Sequence, residues 1–79
     1  MGFEVHVVVT LSKLPGEALM TELNHKFGEA THPVGTKIVN LTEHVATSTE
    51  ADAVDFVRAL VIDAMPPGST ISEISSAPG

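Results

Sequence analysis

FEVHVVVTL, residues 3–11, decides the architecture. Phe3, Val5, Val7, Val9 and Leu11 share one parity, and Glu4, His6, Val8 and Thr10 share the other. A period of two over this length predicts a strand with one face in a core and one face outward. The next residues turn the chain. Ser12 or Lys13 stands at a helix entrance, with Pro15 suited to a first turn.

A first helix is expected from about Pro15 to Phe27. Leu19, Met20, Leu23 and Phe27 fall within one stripe at 100° per residue, and Gly28 offers a stop. Residues 29–37 are punctuated by Pro33 and Gly35 and read as a short edge strand near Ala30–Val34 or as a plain loop. Lys37 to Thr47 reads as a strand, with Val39, Leu41 and Val45 on one parity. Glu43 breaks that parity, which points to a bulge or an exposed strand end.

A second helix begins after Ser48 or Thr49, the candidate caps. Ala53, Val54, Phe56, Val57, Leu60, Val61, Ala64 and Met65 form its apolar face. Asp55, Arg58 and Asp63 form the wet face, with Ile62 projecting among them. Pro66-Pro67-Gly68 ends it. Thr70–Ser75 reads as a last strand. Ile71 and Ile74 do not share parity, so a bulge or early fray is expected there, and residues 76–79 read as a flexible tail.

The order strand, helix, edge strand, strand, helix, strand predicts an α+β fold. Right-handed crossovers make it a ferredoxin-like two-layer sandwich (βαββαβ) with antiparallel sheet order 4-1-3-2 and both helices on one face. If residues 29–36 are loop, a three-stranded βαβαβ version is the alternative. Residues 1–79 form a single domain.

Composition bounds the function. The chain has 79 residues, ten acids against four bases, and a formal net charge of −6. The charge is uneven: residues 1–37 hold four acids and three bases, and residues 38–79 hold six acids and one base. No patch of bases can neutralise several phosphates, and the chain has no Tyr or Trp, so nucleic acid is not an expected partner. The absence of Cys removes disulfides, thiolate metal sites and Cys nucleophiles. No segment is long and apolar enough to span a bilayer and no leader is read, so a cytoplasmic protein that does not contact membranes is expected. A domain this small reaches about 3–5 kcal/mol of stability from its core, which makes self-association a natural stabilising route.

No phosphate loop, nucleophile elbow or zinc-protease helix is present. The outward residues of the two central strands are the candidates that remain. Glu4, His6 and Val8 would lie beside Thr42 and His44, and a register that pairs His6 with His44 would make these two histidines candidate metal ligands. Asp55, Arg58 and Ile62 mark a second surface on the later helix. The leading expectation is a small non-catalytic interaction or oligomerisation module, acidic, that contacts itself as a homodimer, or another protein, through the open sheet face or an edge strand, with the second helix as a second contact surface. The alternatives are a small-ligand or metal-binding domain using His6 and His44, and a small dimeric enzyme. No cofactor and no catalytic residue is indicated.

Overall fold

A computed structural model describes residues 2–79. The elements are β1 (Phe3–Thr10), α1 (Glu17–Lys26), β2 (Glu29–Thr31), β3 (Ile38–Val45), α2 (Glu50–Ala64) and β4 (Thr70–Pro78). The four strands form one antiparallel sheet in the order β2-β3-β1-β4. This is the ferredoxin-like α+β sandwich, and residues 29–31 supply the fourth strand.

The parity of β1 carries through. Phe3, Val5, Val7 and Val9 pair with Val45, Glu43, Leu41 and Val39 of β3. Val5, Val7, Val9, Val39 and Leu41 are fully buried, together with Leu23 of α1 and Ala53, Val57 and Val61 of α2. α1 lies on β2, while α2 crosses β1, β3 and β4. The core therefore sits under one face of the sheet only. Branched aliphatic side chains fill most of it, with Phe27 the one buried aromatic among the described residues.

Local chemistry sets the element ends. α1 starts at Glu17 with Gly16 as its cap and no side-chain cap bond, later than Ser12 or Lys13. Pro15 disfavours helical geometry at Leu14, which delays the entrance. α2 starts as its sequence indicates: Thr49 Oγ1 accepts from the Asp52 N–H at 3.2 Å. Gly35 turns the chain with a φ of +81°, a region costly for other residues. Gly28 plays a different part from a left-handed helix stop, since Phe27 is the C-cap and Gly28 has no positive φ. A Cβ at Gly28 would lie 3.1 Å from the Thr42 carbonyl oxygen, so glycine there lets α1 drop the chain directly onto β3.

Two further expectations are corrected, those for Phe56 with Leu60 and for residues 76–79, and two pairs of alternatives are resolved. Glu43 makes no bulge, because the β1–β3 register runs unbroken past it. Its half-buried carboxylate accepts from the His44 N–H at 3.1 Å, which gives the polar group a partner on the apolar parity. Phe56 and Leu60 stay 53% and 37% exposed, since α2 rolls its Ala53–Val57–Val61 line onto the sheet and leaves this flank out. The irregularity in β4 is a bulge, the register shifting between Val8 and Val9, rather than a fray. Residues 76–78 are strand: Val5, Glu4 and Phe3 pair with Ser76, Ala77 and Pro78, and the Gly79 N–H donates to the Gly2 carbonyl at 3.1 Å. Pro78 is compatible with this because it lies on an edge strand.

Deleting residues 76–79 strips β1 of its partners from Phe3 to Val5. At about 1 kcal/mol per lost hydrogen bond, the cost is about 1–3 kcal/mol, a large share of the stability of so small a domain. Urea unfolding should show the midpoint falling accordingly. An unchanged midpoint would return this segment to the status of a tail.

Candidate interaction surfaces

The outward parity of β1 and β3 places Glu4 opposite His44 and His6 opposite Thr42. The two histidines are thus diagonal neighbours and not a cross-strand pair. One carboxylate joins them. Glu4 Oε1 lies 2.7 Å from His6 Nε2, and Glu4 Oε2 lies 3.4 Å from His44 Nε2. The other ring nitrogen of His6, Nδ1, is 3.0 Å from Thr42 Oγ1. Both nitrogens of His6 are therefore engaged, and among the described residues no three His, Asp or Glu side chains are placed to hold a metal ion.

The line Thr42–His6–Glu4 has the connectivity of a hydroxyl, a base and a carboxylate. Nucleophilic catalysis needs such a line beside a recess that holds the reacting group. Neither of the two principal recesses among the described residues touches it. His6 is 52% exposed on a sheet surface, so the line is a solvated network. Val8 is half-buried on the same face, and its neighbours are Asn40 of β3 and Glu73 of β4. With Glu29 opposite Thr42, the open face carries Glu4, Glu29 and Glu73. The chain's four bases, Lys13, Lys26, Lys37 and Arg58, all lie outside the outward positions of the four strands.

The second surface is on the helix side. α2 and β4 leave a groove of about 760 Å³, whose lining includes Val9, Val61, Met65, Ile71 and Ile74 beside the polar Thr70 and Glu73. Arg58 and Ile62 stand at its helix side, and Ile62 is 67% exposed. Arg58 reaches Asp55 at 3.4 Å along the same helix. A smaller recess of about 270 Å³ separates α2 from the end of α1, between Leu60 and Phe27. The structure thus divides the residues singled out by the sequence. Glu4, His6, Val8, Thr42 and His44 share the open sheet face, while Asp55, Arg58 and Ile62 belong to the other side of the sheet.

Sequence reasoning named an edge strand among the contacts but missed the groove beside β4. The groove leaves no motif, since it depends on how far α2 sits from β4. The parity slip between Ile71 and Ile74 was the one local signal. No helix among the described residues is long and apolar enough to cross a membrane. No family model, curated protein or solved structure matches this chain.

Exposed ion pairs contribute at most about 1 kcal/mol. Glu4→Ala should therefore leave the urea midpoint within that range while removing the bridge between His6 and His44. A loss of several kcal/mol would make the network part of the structural core and remove it from the list of free surfaces.

Proposed function

We propose that this chain is a non-catalytic protein-contact module whose principal contact is the side formed by α2 and β4. The observation that carries this reading is Ile62, 67% exposed beside an apolar groove that the protein's own elements leave unfilled. Exposed apolar surface bordered by polar groups marks contact sites in small proteins. Asp55 and Arg58 flank that residue on the same helix and supply a polar rim. The open sheet face is a second and different surface. Its three carboxylates suit a basic partner surface, and stacking two copies face to face would bring six carboxylates together.

A photo-crosslinking residue placed at position 62 tests the reading in living cells, with position 22 on the exposed side of α1 as the control. Discrete adducts are expected from position 62 and not from position 22. An adduct at twice 8.3 kDa would be a second copy, and any other mass another protein. Equal labelling from both positions would overturn the reading.

A further inference from the structure

Resting on that reading, we propose that the occupant of the α2–β4 side is a second copy of this chain, paired antiparallel along β4 about a two-fold axis at Ser75.

The backbone sets the register. The Gly79 N–H donates to the Gly2 carbonyl, so the alternation of an antiparallel ladder turns the backbone groups of Ala77, Ser75 and Glu73 inward to β1. Those of Ile74 and Ser76 point away from the sheet. Among the described residues β4 has no neighbour on that side. The usable edge is bounded at both ends. The bulge at Ser72 disrupts pairing on one side, and Pro78, with no N–H, closes it on the other. The stretch between them, Glu73–Ala77, is centred on Ser75. A two-fold axis there pairs Ile74 with the second copy's Ser76, and Ser76 with its Ile74. Each pair exchanges outward N–H and C=O groups, and the whole free stretch is used.

The helices meet the same symmetry. Arg58, Val61, Ile62 and Met65 line the groove with Thr70–Ile74, and the short connection from Ala64 to Thr70 turns β4 back along α2, so the two run antiparallel. A symmetric antiparallel approach of the two α2 helices can set Asp55 opposite the second copy's Arg58, twice over. The same register sets Ile62 against the small, exposed Ala51. This flank is complementary to itself in charge and in size, which an isologous contact requires. Glu73 points to the open face, and 73 faces 77 in this register, so the two Glu73 carboxylates do not oppose each other. The product is a continuous eight-stranded sheet with all four helices on one side.

Sedimentation of the wild type and two variants over a wide concentration range tests this. Ser76→Pro removes an outward N–H and cuts no β1–β4 bond, and the Ser76 hydroxyl has no partner to lose. The wild type should run as a dimer. Ser76→Pro should run as a monomer with the wild-type circular dichroism spectrum, and Ile62→Lys should weaken the dimer at least tenfold. A wild type that stays monomeric at every concentration overturns self-pairing, while adducts to another protein from position 62 would keep the contact-module reading. A dimer lost in Ile62→Lys but kept in Ser76→Pro overturns the strand pairing and keeps the helix contact. If Ser76→Pro does not fold, amide exchange of the wild type decides. The Ile74 and Ser76 amides should gain at least tenfold protection at high concentration over low, and equal exchange at both overturns the pairing.

Discussion

Everything in this fold depends on the parity of β1. Val5, Val7 and Val9 are all fully buried, and the strand that carries them sits between β3 and β4. Side chains alternate across a strand, so a slip of one residue would put Glu4 and His6 under the helices and the valines in water. That single constraint fixes which face the helices cover and which face stays open. It also explains why the histidine–carboxylate network is on the surface. Its members hold the parity that the core cannot use.

Much of the fold was legible for the same reason. Period-two patterning gave β1 and most of β3, and Thr49 with Asp52 gave the start of α2, because these signals are local. Less of the site was legible. Asn40 and Thr42, and not His44, stand beside Val8 and His6, since register is set by strand pairing and not by spacing within one strand. Phe56 and Leu60 have the hydrophobicity of core residues, yet two short helices over four strands cannot bury every side of α2. Ser76, Ala77 and Pro78 have the composition of a tail. They become strand because β1 extends to Phe3 and offers them a ladder, a tertiary reason that no local propensity contains.

The two edges of the sheet differ in a way that bears on assembly. β2 has three residues and is followed at once by His32 and Pro33, so it presents little edge to another chain. β4 has nine residues and a groove beside it. If two unlike edges of the sheet could join, β4 of one copy would add to β2 of the next and the sheet would grow without end. A long edge opposite a very short one removes that route. The pairing proposed for the long edge is with its own kind, and such a pairing closes on itself after two copies. The bulge near Ser72 and Pro78 act in the same direction, since they shorten the stretch of edge open to pairing. The features that guard this edge against aggregation would thus also set the register of the pairing proposed for it.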